Sequence, residues 1–411
     1  YNEFVSQYNY IKINLNIIPE YDVKPKLRFD RAFLSYRGGY DSIFDLSDRY
    51  NGAPTNVDTS NFHFGRDEMR FENDLREITV DFVYESGDTN WKLRAGRQIT
   101  IWGEADILAL VNVVNPSNRT NTPGSTFPED TAFPTWQVRL EMSTLDVGPF
   151  EQVGLQLLAI PDVVPDLWSD PGTPFGFPLP FEHNTGHSGT EDMEFGARLG
   201  FDIGQAHGDI YFFEGYQKGF GLNVMTLGTM GYAIMDHPKS TMIGTSGQYY
   251  SDWARGIFRW EAAYKDTVTV SDVTSPNGRA WAAYEQWEAL VSFDRPWHFA
   301  KIFRTRSAQN STLQLYTKHL AGYPGQTAFS APEKNSYLIT WMWSTDYNNG
   351  RVKPSVALVY DPFGVMLTSI SCTVIRKDWR FKLAESSTWG NESCVASPFT
   401  PLIPGSTLTF T

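Results

Sequence analysis

The sequence has no long apolar run. A helix that crosses a bilayer needs about 20 consecutive, mainly apolar residues, and Ile107–Val114 is among the longest apolar stretches here. Helical membrane spans are therefore excluded. Cysteine is nearly absent: Cys372 and Cys394 are the two, too few for a disulfide framework. No run of Lys and Arg occurs and the formal net charge is −13, so no nucleic-acid partner is expected. The seven histidines are scattered and there is no G-x-S-x-G elbow. No nucleophile stands beside a base that could activate it, so neither an enzyme nor a cofactor is expected. No leader precedes Tyr1, which reads as a mature or trimmed chain.

What is present is alternation. Aromatic residues make up 15% of the 411 residues, while the mean hydropathy is only −0.35. Ile11, Ile13, Leu15 and Ile17 alternate with Lys12, Asn14 and Asn16. Ile78, Val80, Phe82 and Tyr84 alternate with Thr79, Asp81 and Glu85. Trp136, Val138, Leu140 and Met142 alternate with Gln137, Arg139 and Glu141; Phe195, Ala197, Leu199 and Phe201 alternate with Gly196, Arg198 and Asp202. Period two places one set on each face of a strand. Roughly sixteen such segments follow one another, and Ser406–Thr411 is a further candidate. Their connections alternate in length. Short ones lie at Ser86–Asn90, Asp146–Pro149, Gly204–Gly208 and Arg376–Asp378, with long ones between.

Half-buried strands of a soluble sandwich also alternate. Two features favour a membrane. One face carries Trp136, Trp260, Trp287, Trp341 and Trp343, residues that settle at the lipid headgroup level. The other face is charged: Glu77, Asp81, Lys92, Arg94, Arg139, Glu141, Arg198, Arg259, Glu261 and Glu288. A water-filled lumen accepts such a face, whereas lipid penalises a midplane Lys or Arg by about 2–4 kcal/mol. The expected fold is all-β: a closed antiparallel transmembrane β-barrel of about 16–18 strands, with short periplasmic turns and long extracellular loops, formed by residues 1–411 as a single domain.

The chain is organised around Trp91–Asn118. A strand with a charged face, Trp91–Gln98, runs into Trp102–Gly103–Glu104, and a short apolar piece then stops at Asn115–Pro116. The pattern predicts that residues 103–118 fold inward, in part as a short helix over Ala105–Leu110, where helix formers cluster. Leu75–Asp81 (LREITVD), Leu93–Asp106 (LRAGRQITIWGEAD), Val111–Asn118 (VNVVNPSN) and Leu158–Phe175 resemble a large family of bacterial outer-membrane β-barrels known only as a domain of unknown function. The resemblance is specific over Arg70–Phe175 and thin beyond. It implies a barrel in the bacterial outer membrane and little about substrate. Some relatives are linked with lipid-exporting pumps of the resistance–nodulation–division type.

The candidate pore-lining residues are Glu77, Asp81, Lys92, Arg94, Arg97, Gln98, Glu104, Asp106, Asn112, Asn115, Arg139, Glu141 and Arg198. All are expected to face the interior, as a charge network that sets the pore's field and holds the inward segment. The alternative is a salt-bridge ladder that only rigidifies the wall. His183 and His187, with Glu182 and Asp192, have the residue types of a metal site, but a solvated loop is the better reading and no metal is expected. Asp41–Asp48 reads as a solvated acidic loop. Cys372 and Cys394 are expected to be unpaired, on opposite ends of neighbouring strands.

The function expected is a porin-like channel for small solutes. Two alternatives stand beside it: a barrel component of an assembly that moves lipid or another apolar compound, and a plugged sleeve around another protein such as a cytochrome. Expected partners are outer-membrane lipid, lipopolysaccharide and small solutes. Periplasmic or pump partners and a homo-oligomer stay open.

Overall fold

In the computed structural model the described residues are 8–42, 45, 70–104, 108–118, 132–161, 163–168, 181–184, 192–227, 230–271, 281–305, 307–325, 333–362, 365–376, 379–390 and 406–410. Twenty strands occur among them. They are β1 (Tyr8–Ile17), β2 (Leu27–Asp41), β3 (Phe71–Ser86), β4 (Thr89–Gln98), β5 (Thr135–Val147), β6 (Phe150–Ile160), β7 (Phe181–Asn184), β8 (Glu194–Ile203), β9 (Ala206–Tyr216) and β10 (Gly221–Leu227). The second half supplies β11 (Met230–Asp236), β12 (Lys239–Ser251), β13 (Gly256–Ser271), β14 (Trp281–Trp297), β15 (Gln309–Ala321), β16 (Asn335–Ser344), β17 (Val352–Asp361), β18 (Val365–Arg376), β19 (Trp379–Gly390) and β20 (Ser406–Phe410).

Seventeen of these strands form one sheet. Each pairs antiparallel with the next, from β1 through β6, on to β8 and β9, and from β12 to β20. The alternating segments of the sequence all lie in this sheet, and Ser406–Phe410 is its last strand. Tight connections join β3 to β4, β5 to β6, β8 to β9 and β18 to β19, and the longest, from β2 to β3, β4 to β5, β6 to β8 and β9 to β12, lie at the opposite end. The parity is not strict, since residues 298–308 separate β14 from β15 at the tight-turn end and only residues 362–364 separate β17 from β18 at the other. Gly87 shows why such turns can be tight. Its φ of 59° lies in the left-handed region that a hairpin turn requires and that a side chain disfavours.

Register sorts the side chains. Ile78, Val80 and Phe82 of β3, Trp136 and Val138 of β5, Phe195 and Leu199 of β8, and Ile339 and Trp341 of β16 are exposed on the outer face. Their neighbours Thr79, Asp81, Gln137, Asp209, Glu261, Gln314 and Thr340 are buried on the inner face. An open apolar face and a covered polar one invert the arrangement of a soluble sheet. On the inner face, Trp102, Leu110, Val111 and Val114 pack with Leu158, Ile160, Tyr211, Phe213, Met242, Ala263 and Leu290. These partners come from β6, β9, β12, β13 and β14, so the sheet curls around Trp102 and residues 108–114.

A second sheet of three strands is formed by β7, β10 and β11, and it includes one parallel pair, β7 with β11. This corrects the solvated-loop reading of His183. It sits on β7, half-buried, with Nδ1 3.0 Å from Nε2 of the buried His237. His237 Nδ1 donates to the carbonyls of Gln217 and Gly219, at 3.0 and 2.8 Å, which leaves its Nε2 to accept from His183. Asp192 is engaged elsewhere, accepting from the Tyr216 hydroxyl at 2.7 Å and pairing with Lys239 at 3.0 Å. His187 lies outside the described residues. Asp41, at the end of β2, is buried rather than solvated, and Asp45 pairs with Arg70 at 2.6 Å. Cys372, on β18, carries a free thiol; Cys394 lies outside the described residues.

The histidine pair makes the small sheet sensitive to acid. Burial, and then the adjacent His237, pull His183 from its ordinary value of 6.5 to about 4. Between those values the unfolded chain binds the proton and the folded chain does not, so stability rises with pH in that window. The contribution of the neutral pair is complete above pH 6.5 and declines as pH falls toward 4. Amide exchange in β10 and β11, corrected for the intrinsic pH dependence, should be faster at acid pH than at neutral pH. Equal protection across that range would show that the pair does not hold the sheet.

Candidate functional site

The described residues 99–104 and 108–118 follow the end of β4 and lie under the sheet's inner face. Their base is clamped by side-chain amides. Asn115 Oδ1 accepts from the Thr100 amide at 2.7 Å, and its Nδ2 donates to the carbonyls of Phe133 and Gln98 at 2.9 and 3.3 Å. Thr100 Oγ1 donates to Gln137 Oε1 at 2.8 Å, and Gln98 Nε2 donates to the Gln137 carbonyl at 3.1 Å. Gln98 and Gln137 are fully buried, so these bonds pair the Gln137 oxygen and the Gln98 NH2 that burial would otherwise strand. Asn112 Oδ1 accepts from the Trp102 amide at 3.4 Å. The two asparagines of the N-x-x-N-P motif therefore hold backbone, which is why an amide with both donor and acceptor stands there.

Trp102 carries the segment across the wall. Its indole lies 5.3 Å from the Tyr211 ring and edge-on to Phe213 at 6.2 Å. Its Nε1 donates to Gln156 Oε1 at 2.7 Å. Gly196 leaves room for the ring, since a Cβ there would come within 2.7 Å of it.

The far end is held by one carboxylate. Glu261 of β13 accepts the Glu104 amide on Oε1 at 2.6 Å and the Leu110 amide on Oε2 at 2.8 Å. It is 1% exposed. Of the helix expected over Ala105–Leu110, residues 105–107 lie outside the described residues, and Leu108, Ala109 and Leu110 are not helical. The amides of Glu104 and Leu110 are bound by Glu261 across the sheet. Gly103 makes the approach feasible. Its φ is +94°, and a Cβ there would lie 2.4 Å from Glu261 Oε1. Gly103→Ala should loosen the segment by about 1–3 kcal/mol. In limited proteolysis the variant should be cut within residues 103–114 while the unaltered chain resists. Equal resistance would show that the segment has another anchor.

The charged residues form a chain along β3, β4, β5, β8 and β9. Asp81 is fully buried beneath three cations. Arg94 donates to both its oxygens at 2.7 Å, Lys92 approaches to 3.1 Å and Arg31 to 3.4 Å. Arg139 pairs with Glu141 at 3.2 Å and reaches Thr100 Oγ1 at 3.3 Å. Glu141 also accepts from Gln156 at 2.9 Å, which links this chain to Trp102. Arg198 pairs with Asp209 through two bonds, of 2.8 and 3.1 Å. A recess of about 270 Å³ opens beside them, lined in part by Lys92, Glu141, Gln156, Arg198, His207 and Asp209. Glu77 lies on β3, half-buried and opposite Ser35.

Arg97 pairs in register with Ile78 and Trp136, both exposed on the outer face, so it does not belong to the inward set. Period two already requires this once Lys92 and Arg94 point inward. Its guanidinium donates to Asp74 at 2.9 Å and lies over the Phe133 ring. Asp106 lies outside the described residues.

Glu104, His207 and Asp209 each bring one possible ligand atom within 4.8 Å of the others. Asp209 already accepts from Arg198, His207 and the Tyr211 hydroxyl, and the other imidazole nitrogen faces Asp202 at 2.6 Å. A cation would have to displace Arg198, so this donor set suits an ion-pair network better than a metal. The residue that the sequence left without a role is Glu261. It appears there as one of many charges on the inner face, and nothing local ties it to Glu104.

Comparison with known proteins matches residues 2–148 to a family described as a protein of unknown function (DUF1302). No curated protein matches. Among solved structures, OmpF of Salmonella typhi in complex with daunomycin is similar at 9% identity, over 93% of this chain and 90% of that one, with a TM-score of 0.43. OmpT of Vibrio cholerae lacking loop L8, an outer membrane protein, is similar at 9% identity over 94% and 99%, with a TM-score of 0.39. Overlaps this loose say nothing of function.

Proposed function

We propose that the chain closes into a β-barrel in the bacterial outer membrane and conducts small polar solutes through a lumen narrowed by residues 99–118. One observation carries this reading. The sheet's outer face is apolar and open while its inner face is polar, charged and wrapped around a folded-in segment. Lipid would cover the first face and water would fill what the segment leaves of the second. The four tightest turns at one end and the four longest connections at the other fit periplasmic and extracellular ends. In this meander β1 and β20 run in the same direction, so closure joins them in parallel unless a further strand intervenes.

A second reading, a barrel that passes lipid or another apolar compound within a transport assembly, draws on Leu108, Val113 and Tyr316. These are only partly buried against the inner apolar cluster. Planar-bilayer recording decides between the two: the channel reading expects stepwise conductance from the purified chain alone. Silence, together with co-purified lipid, would replace it with the second.

Orientation has its own test. In vesicles of brominated lipid, Trp341→Phe should lower the quenchable part of the fluorescence, because Trp341 stands on the outer face. Trp102→Phe should not, because that ring is enclosed. The opposite result would place lipid on the wrong face of the sheet.

A further inference from the structure

Asp81 is a single carboxylate among three cations. Arg94 satisfies both of its oxygens, yet Lys92 and Arg31 also approach it, at 3.1 and 3.4 Å. The group around Asp81 therefore keeps two positive charges that it does not neutralise. Exposure decides which charges a solute meets. The Asp81 side chain is 0% exposed, whereas Arg31 and Lys92 are 33% and 28% exposed. The Asp81 charge lies behind and the positive charges face the interior space, together with Glu141, which stands opposite Lys92 in register and is 32% exposed but is engaged by Arg139 and Gln156. Arg139 extends the stripe onto β5, partnered by Glu141, which also accepts from Gln156. Glu77, half-buried on β3, is the remaining acid on that part of the wall. Lys92 also lines the 270 Å³ recess. Within it Asp209 is covered by Arg198 and Asp202 is occupied by His207. In a chain of formal charge −13 this is a local reversal of sign, placed where the wall is enclosed on other sides and its field is less screened.

We infer that Arg31 and Lys92, backed by Arg94 and Arg139, form a binding site for small oxyanions, carboxylate-bearing solutes above all. A guanidinium and an ammonium side by side offer a carboxylate charge-assisted bonds from both ends. Neutral donors on Asn90, Gln152 and Ser143 in the neighbouring recess can take up the solute's hydroxyl or carbonyl groups. The inference rests on the reading of the inner face as a watered lumen and assigns that lumen a substrate class.

The experiment is equilibrium dialysis of labelled succinate against the detergent-solubilised full chain at low ionic strength. Saturable binding is expected, displaced by inorganic phosphate and weakened by added salt. In the double variant Arg31→Gln with Lys92→Gln, affinity should fall about tenfold, as expected for losing two partly hydrated charge contacts. Arg94 still holds Asp81 in that variant, so its thermal unfolding should stay cooperative and near that of the unaltered chain. No saturable binding, or equal binding by a folded double variant, overturns the site. Resistance of bound succinate to phosphate would narrow the site to carboxylates and still support it. Reversal potentials in a potassium chloride gradient report separately. Preference for chloride, lost in the double variant, supports the site in a conducting channel, and preference for potassium contradicts it. Absence of any conductance would overturn the channel reading and leave the dialysis result to judge the site alone.

Discussion

Replacing Glu261 by alanine should raise single-channel conductance several-fold and open residues 103–114 to added protease. The carboxylate is the acceptor for two backbone amides that are otherwise enclosed, those of Glu104 and Leu110. Each buried donor left without a partner costs about 1–3 kcal/mol, so the folded-in position loses about 2–6 kcal/mol relative to a released one. The clamp at Asn115 and Thr100 stays in place, so the segment should swing from its base and not unravel. Glu261→Gln should fall between the two, because its side-chain oxygen can accept one amide while its NH2 opposes the other. The strand ladders do not depend on this residue's side chain, so unfolding of the sheet should shift little. Unchanged conductance together with unchanged protease resistance in Glu261→Ala would remove Glu261 from the role of anchor.

Asp81→Ala should lower the stability of the sheet itself. Three cations, Arg31, Lys92 and Arg94, would remain on adjacent positions of β2 and β4 with no charge between them. Breaking a buried ion pair by removing one partner typically costs about 3–5 kcal/mol. The lower end, about 3 kcal/mol, applies because all three cations keep part of their hydration. Equilibrium unfolding in urea with detergent present should show the midpoint shifted down. Arg94→Ala removes one of three cations and should cost less, since Lys92 still reaches Asp81. An Asp81→Ala midpoint equal to that of the unaltered chain would show that the stripe is held by the ladder alone.

The sequence by itself determined the strands, their faces and their parity. A strand's faces follow from period two, a local property, so Phe195, Leu199 and Phe201 already separate from Arg198 and Asp202 without any partner strand. Turn chemistry is equally local, and the short connections at Ser86–Asn90 and Gly204–Gly208 are visible as written. The inward course of residues 103–118 was legible because an apolar piece between acids has no place in a solvated loop. What holds it there was not legible: the acceptor for the Glu104 and Leu110 amides lies 157 and 151 positions away on β13, and a local pattern cannot register a partner at that distance. The three-stranded sheet of β7, β10 and β11 was missed for the same reason. Its strands are short, and one pair is parallel across a separation of about fifty residues, so alternation gave no signal. Only the tertiary structure decided which charges meet. Many acids and bases share the inner face, and register across β2, β3 and β4 selects Asp81 as the one enclosed by three cations. The same curl of the sheet brings Glu261 to Glu104, because a curved inner face makes neighbours of residues that the chain keeps far apart.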